Sequence, residues 1–313
     1  MIPSDLSVTH HFAQLGDLRM HYVERGQGPL VVLLHGFPET WWSWRHVLPA
    51  LADAGFRVVA VDLRGYGDTD KHGPYDLDTV TTDVCRLIES LGEEAAHVVG
   101  HDWGGALAWH LAAHRPAHCA SLAVLNCPHP AAMAKVAPSN LGQLKRSWYI
   151  LLFALPGIPE LLLTRNGGAA VIRTLRGNAV DRTHFSAEEL RPFREAIVKP
   201  GAVSAMLGWY RAAIAGFVAR RGKPPEYPLI RARSMLIWGL EDRALDFDLL
   251  VPPSRAYVEA LRVEPVPGCG HFVQSEQPAR VTALLLDFLR QAAVTGPATG
   301  SAALRAARRS QRR

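Results

Sequence analysis

Five short apolar segments constrain the fold of this 313-residue chain more than any other feature of its sequence. They read LVVLL, RVVAV, AHVVG, SLAVL and SMLIW, and turn or polar residues bound each of them. Such short runs are typical of strands buried on both faces, as in a parallel sheet between two layers of helices. Amphipathic segments with helical spacing separate the first four runs. This β–α alternation predicts an α/β protein with a doubly wound, mostly parallel sheet.

The same patterns give approximate bounds for the elements of this sheet. We predict strands at 18–23, 30–34, 57–61, 96–100, 121–126, 234–238 and 263–266. We predict helices at 44–54, 76–91, 104–114, 253–261 and 278–291.

The strand pattern stops after residue 127 and resumes only at 233. Loops in α/β proteins usually hold ~2–6 residues, so we interpret 128–232 as an inserted helical cap domain and 1–127 with 233–292 as the core. The insertion follows the C-terminal end of a strand and is expected to cover the sheet edge where such folds bind ligands. Its most apolar part, 148–164, contains Pro156 and Pro159. It therefore predicts a broken helix rather than a membrane span.

The net charge of +5 comes from the end of the chain. Residues 293–313 carry five arginines and no acid, which leaves 29 basic and 29 acidic residues in the rest. We interpret 293–313 as a disordered basic tail and expect neither a nucleic-acid nor a membrane partner. Four scattered cysteines without a C-x-x-C pair and an N-terminus without a signal peptide favour free thiols and a cytoplasmic protein.

The sequence GHDWGG at 100–105 follows a predicted strand and opens a predicted helix. It has the form of a nucleophile elbow, in which Gly100 and Gly104 leave room for a very tight turn, with Asp102 at the nucleophile position. A carboxylate is already an anion at neutral pH, and it suits attack on an sp3 carbon that bears a leaving group. The alternative is that Asp102 only caps the helix that follows it.

Two further residues stand in the chain order of a nucleophile–acid–histidine triad. Asp242 follows the strand SMLIW, and His271 lies in a glycine-flanked loop after the last core strand. His271 would take a proton from water, and Asp242 would orient its ring and stabilise the imidazolium. Glu241 and Asp246 are competing candidates for the acid.

The segment HGFPE at 35–39 directly follows the strand LVVLL. The backbone N–H groups of Phe37 and Trp103 are candidates for an oxyanion hole that stabilises charge on the Asp102 carboxyl group. The Phe37–Pro38 peptide bond is a candidate for the cis form. The alternative is that this segment is only a tight turn.

Four segments together resemble the epoxide hydrolases of the α/β-hydrolase fold. They are HGFPE at 35–39, GHDWGG at 100–105, WGLED at 238–242 and GHFVQSEQP at 270–278. The resemblance covers about residues 5–292, including the cap. It implies hydrolysis of epoxides to vicinal diols through an alkyl ester on Asp102, with water as co-substrate, and it implies no metal or organic cofactor. The Leu, Phe, Trp and Met content of the cap predicts that the substrate is lipophilic.

The resemblance also implies two cap tyrosines that donate protons to the epoxide oxygen. Tyr149 and Tyr210 lie in segments similar to those of the family, whereas Tyr227 lies in a Pro-rich linker. The alternative is that both tyrosines fill a helix interface. We further expect the substrate pocket to include His35, Pro38, Trp148 and Trp209.

Two other functions use the same framework. A haloalkane dehalogenase needs two N–H donors for halide; Trp103 could supply one and Trp148 or Trp209 the other, while Phe37 occupies the position where an asparagine donor can occur. Fluoroacetate dehalogenases carry arginine after the nucleophile, where this chain has Trp103. A ligand sensor on the same fold would need no intact triad. The sequence leaves monomer and homodimer open.

Overall fold

Residues 6–295 are described in a computed structural model, and within them eight strands form one sheet. In space the strands follow the order 1-2-4-3-5-6-7-8. The strands are β1 (Thr9–Leu15), β2 (Leu18–Arg25), β3 (Leu30–Leu34), β4 (Arg57–Val61), β5 (Ala96–His101), β6 (Cys119–Leu125), β7 (Ser234–Gly239) and β8 (Leu261–Val266). The pairs β1–β2 and β2–β4 are antiparallel, and every other pair in this sheet is parallel. The predicted doubly wound, mostly parallel sheet is confirmed.

Helices follow the strands and cover both faces of the sheet. They are α1 (Val47–Asp53), α2 (Leu77–Ser90), α3 (Trp103–His114), α4 (Pro130–Val136), α5 (Leu141–Arg146), α6 (Trp148–Ala154), α7 (Ile158–Gly177), α8 (Ala187–Ile197), α9 (Ala202–Ala219), α10 (Phe247–Ser254), α11 (Val273–Glu276) and α12 (Pro278–Thr295). Helices α4 to α9 all lie between β6 and β7, in the segment where the sequence predicts the insertion. We refer to 128–232 as the helical insertion below.

Strand β3 shows why the apolar runs are continuous. Val32 and Leu34 belong to the apolar cluster on one side of the sheet, and Val31 and Leu33 belong to the cluster on the other side. All four side chains have zero exposure. Because successive side chains of a strand point to opposite faces, a strand covered by helices on both sides must be apolar at every position.

The structure corrects three details of the predicted elements. Strand β1 was not predicted, because only one of its seven side chains, that of Leu15, is buried, so the strand lacks an apolar run. The helix expected at 253–261 is α10, which starts at Phe247 because the side chain of Asp246 caps it. Helix α12 continues to Thr295, so residues 293–295 of the predicted disordered tail are helical, and 296–313 lie outside the described residues.

A buried ion pair holds the loop after β4. The Arg64 guanidinium donates to both oxygens of Asp83 in α2, over 2.7 and 2.9 Å, and both side chains are 2% exposed. The Arg64 carbonyl oxygen accepts a hydrogen bond of 3.1 Å from the indole N–H of Trp209 in α9. This loop therefore connects the sheet with the helical insertion.

We predict that Asp83→Ala lowers the free energy of unfolding by about 3–5 kcal/mol, because it leaves a guanidinium buried without its partner. The matched control is Asp53→Ala. It removes the carboxylate that pairs with Arg25 at 2.8 Å but is 60% exposed, so its cost should be about 0–1 kcal/mol. Urea unfolding of both variants measures the difference. Equal losses in the two variants would contradict the assignment.

Candidate active site

The nucleophile turn joins β5 to α3, and two glycines make it possible. Asp102 has φ 49° and ψ −118°, in the positive-φ region that non-glycine residues rarely adopt. A Cβ on Gly100 would lie 2.1 Å from the carbonyl oxygen of Gly104, and one on Gly104 would lie 2.2 Å from that of Leu34. Neither position can carry a side chain. The close contact between these backbone segments fixes the position of the Asp102 Cα atom.

The Asp102 carboxylate lies between the loop after β3 and His271. Its Oδ1 accepts a hydrogen bond of 2.8 Å from the backbone N–H of Phe37, and its Oδ2 is 3.6 Å from Nε2 of His271. Its side chain does not cap α3, so the helix-cap alternative does not describe the structure. Burial alone would raise the pKa of Asp102, but His271 and the Phe37 N–H outweigh it and hold the pKa below the usual range.

Asp242 lies on the other side of the imidazole. Its Oδ2 is 2.8 Å from Nδ1 of His271, while its Oδ1 accepts hydrogen bonds from the backbone N–H groups of Ala244 and Leu245. Glu241 instead accepts from the backbone N–H of Cys269. Of the three candidate acids, the one that contacts the imidazole is Asp242.

His271 is 5% exposed and has a carboxylate on each ring nitrogen. Burial alone lowers the pKa of an imidazole, but Asp242 and Asp102 raise the pKa of His271 well above its usual value. Burial raises the pKa of Asp242, but His271 and then Asn126 outweigh it and lower that pKa. With both carboxylates ionised, these contacts favour the imidazolium form of His271.

Asn126 was not predicted as a site residue. It directly follows β6, has φ 42° and is fully buried. Its amide donates to Oδ2 of Asp242 over 2.8 Å, and its Oδ1 accepts from the backbone N–H of Gly239 over 3.0 Å. It ties the acid to the end of β7. The one feature of the sequence that indicates a site residue here is the position of Asn126 at the carboxyl end of a core strand.

Glu39 and His101 form a second buried pair whose role the sequence did not reveal. Nδ1 of His101 is 2.7 Å from Oε2 of Glu39, and Nε2 is 2.9 Å from the backbone carbonyl oxygen of His271. The His101 ring therefore contacts one acceptor on each side. Glu39 Oε2 also accepts from the backbone N–H of Gly36 over 3.0 Å. The pair therefore positions the loops that carry Phe37 and His271.

A cavity of about 490 Å³ lies between the sheet edge and the helical insertion. Asp102, Trp103, Tyr149, Trp209 and Tyr210 all line it. The rings of the two tyrosines are 6.2 Å apart between centroids and nearly perpendicular. Burial raises the pKa of both phenols. The charge of Asp102 raises the pKa of Tyr149 further, and Tyr149 and then Asp102 do the same for Tyr210.

Three residues expected in the pocket do not line this cavity. Trp148 is 63% exposed, because it lies on a different face of α6 from its neighbour Tyr149. His35 is fully buried under the loop, where its Nε2 accepts from the backbone N–H of Leu63 over 3.1 Å. Pro38 is also buried, and its peptide bond with Phe37 is cis, as predicted.

Trp103 occupies the first position of α3. The backbone N–H groups in the first turn of a helix have no partner within the helix. The N–H of Trp103 therefore has no partner within α3, while the N–H of Phe37 donates to Asp102.

Comparison with known proteins places the chain in a family. Residues 29–153 match the family described as alpha/beta hydrolase fold. The AB hydrolase superfamily protein YfhM of Bacillus subtilis (strain 168) is 39% identical over 284 residues, which is 89% of this chain and 97% of that protein. Epoxide hydrolase 3 of Xenopus tropicalis is 35% identical over 298 residues, which is 90% of this chain and 78% of that protein.

A solved structure agrees with these relatives. The crystal structure of an epoxide hydrolase from Bacillus megaterium in complex with an inhibitor superposes with a TM-score of 0.82. The two chains are 27% identical, and the match covers 90% of this chain and 100% of the other. The chain described here therefore belongs to the epoxide hydrolases of the α/β-hydrolase fold superfamily.

Proposed function

We propose that this protein hydrolyses lipophilic epoxides to vicinal diols through an alkyl ester on Asp102, with Tyr149 and Tyr210 as proton donors to the epoxide oxygen. The observation that carries the proposal is the joint lining of one cavity by a carboxylate and two phenols. Family membership supports the reaction class, and the contacts around Asp102 support the assignment of steps.

In the first step, one carboxylate oxygen of Asp102 attacks a ring carbon and the bond from that carbon to the epoxide oxygen breaks. Oδ1 is held by the Phe37 N–H, so we assign the attack to Oδ2. The departing oxygen takes a proton from a phenol, since an alkoxide is a poor leaving group unless it is hydrogen-bonded or protonated. The raised pKa values of both tyrosines keep these donors protonated.

In the second step, water hydrolyses the ester. Once Asp102 is esterified, one of the two carboxylates that raise the pKa of His271 has lost its charge. The pKa of His271 then falls, its proton passes through solvent to the phenolate that the first step leaves, and the neutral imidazole can take a proton from water. The resulting hydroxide adds to Cγ of Asp102, and the N–H groups of Phe37 and Trp103 stabilise the oxyanion on Oδ1. Collapse breaks the bond from Cγ to Oδ2, and the diol leaves with the proton of the new carboxyl group, which restores Asp102 as a carboxylate.

The surroundings of the tryptophans favour an epoxide over a haloalkane. The indole N–H of Trp209 already donates to the Arg64 carbonyl oxygen, and Trp148 is 63% exposed. Of the three tryptophans considered as halide donors, this leaves Trp103. We therefore expect diol formation from epoxides and no halide release from haloalkanes.

We predict that His271→Gln stops turnover after the first step, because no base remains to activate water. Incubation with a lipophilic epoxide should add the mass of one substrate to the intact protein, and steady-state turnover should fall by about 10²–10⁴-fold. The control is His114→Gln, the same change at another histidine of the cavity wall, which should turn over without an adduct. An adduct in neither variant, with a substrate that the wild type consumes, argues against a covalent ester.

We predict that Tyr149→Phe with Tyr210→Phe slows formation of the ester by about 10²–10⁴-fold, because no acid is left for the epoxide oxygen. Tyr227→Phe is the matched control, since this third tyrosine of the insertion also lines the cavity but contacts Nδ1 of His110 over 2.9 Å. Single-turnover quench experiments measure the step. If ester formation slows as much in Tyr227→Phe as in the double variant, Tyr149 and Tyr210 have no special role as proton donors.

We predict that the ester accumulates in acid. Hydrolysis needs neutral His271, so its rate should fall about tenfold per pH unit below the pKa of His271 in the ester. Ester formation should persist, because the pKa of Asp102 is lowered and the carboxylate stays ionised. Mass spectrometry after rapid quenching at pH 5 and pH 8 compares the two steps. A smaller ester fraction at pH 5 than at pH 8 would be inconsistent with this assignment.

A further inference from the structure

The large apolar side chains that the described residues expose are concentrated in one segment. Eight of the fourteen lie between residues 141 and 162, with exposed fractions from 45% to 76%. We call these eight side chains the outer face, and they are Leu141, Leu144, Trp148, Leu151, Leu155, Ile158, Leu161 and Leu162. An exposed apolar patch of this kind usually marks an interaction surface.

The spacing of these residues places them together. The first four follow one another at intervals of 3, 4 and 3 residues along α5 and α6, which are separated only by Ser147, and Leu155 directly follows α6. The other three lie in the first turns of α7, at relative positions 0, 3 and 4. Such intervals put side chains on one face of a helix. Two residues between them, Tyr149 and Ile150, line the cavity instead.

The same part of the insertion concentrates positive charge. Residues 128–180 contain six basic residues and one acidic residue, a net charge of +5, whereas residues 1–292 as a whole are neutral. All six basic residues are exposed: Lys135, Lys145, Arg146, Arg165, Arg173 and Arg176. The acidic residue, Glu160, pairs with Arg211 over 2.8 Å. The segment that carries the outer face is therefore cationic, and one of its basic residues, Arg146, pairs with Asp246 over 3.4 Å.

We propose that the outer face docks the protein on a lipid surface that contains anionic headgroups. Leucine, isoleucine and tryptophan side chains would enter the boundary between headgroups and acyl chains, and the exposed lysines and arginines would contact the headgroups. This differs from the expectation, drawn from the sequence, that the protein has no membrane partner. It goes beyond the proposed function and does not depend on it.

Two observations favour this occupant over others. A second copy of the chain would bring two segments of charge +5 together, which opposes self-association through this face. Helices α6 and α7 bend by 103° against each other across Leu155–Gly157, and α6 has seven residues. A bent pair of helices, one of them so short, can lie in the plane of a membrane surface. A transmembrane helix instead needs ~20 residues in one direction.

The test is flotation of the full-length protein with vesicles of phosphatidylcholine mixed in equal parts with phosphatidylglycerol, and with vesicles of phosphatidylcholine alone, at low salt. The variant is Leu151→Glu with Leu161→Glu; these residues are 74% and 67% exposed. The control is Val218→Glu with Leu229→Glu, which are 66% and 51% exposed and change the net charge equally. Circular dichroism melting checks that both double variants fold.

We expect the wild type and the control to float with the anionic vesicles and the L151E/L161E variant to lose about tenfold or more in binding. High salt should weaken the binding by screening. Equal binding by all three proteins would assign it to the arginines of 293–313 and overturn the proposal. So would no binding by the wild type, or a dimer in light scattering that L151E/L161E separates. The readout involves no turnover, so it is independent of the proposed reaction.

Discussion

The site depends on one imidazole that is buried between two carboxylates. Either carboxylate alone would be costly to bury beside apolar strands, and the two would repel each other without a cation between them. His271 supplies that cation, at 2.8 Å from Asp242 and 3.6 Å from Asp102. The resting site is therefore held together by the same charges that the proposed reaction uses. In the proposed reaction, esterification of Asp102 would remove one of these charges and would let His271 act as a base.

A separate layer of buried polar side chains, those of Glu39, His101 and Asn126, holds the loops that carry the imidazole and the two carboxylates. Glu39 and His101 connect the loop after β3 with the loop that carries His271, and Asn126 connects the acid with the end of β7. The Glu39 and Asn126 side chains are no more than 1% exposed and accept or donate several hydrogen bonds. Buried polar groups that are fully hydrogen-bonded make the surrounding structure rigid. The positions of the loops around Asp102 therefore depend on this layer as well as on the triad.

The sequence predicts the parts of this structure that depend on local patterns. Runs such as LVVLL are typical of strands that are buried on both faces of a parallel sheet, and glycines at 100 and 104 are needed where two backbones approach so closely. The strand β1 was missed because an edge strand with one buried side chain carries no apolar pattern.

The parts of the site that were missed depend on contacts between distant residues. The pairing of Glu39 with His101 spans 62 positions, and a single asparagine after a strand, such as Asn126, has no recognisable motif. Trp148 was placed in the pocket because it adjoins Tyr149. Adjacent residues on a helix point about 100° apart, so only the packing of α6 decides which of the two faces the cavity.

Because of that packing, one side of α6 lines the cavity and the other side is exposed. Tyr149 and Ile150 face the cavity, whereas Trp148 and Leu151 face outward and stay exposed. A seven-residue helix with aromatic and apolar side chains all round would normally be buried on every side. Here the core covers only one side, and the exposed remainder costs free energy in water. Contact with an apolar phase would recover this free energy, and it would bring the wall of the cavity within one helix diameter of that phase.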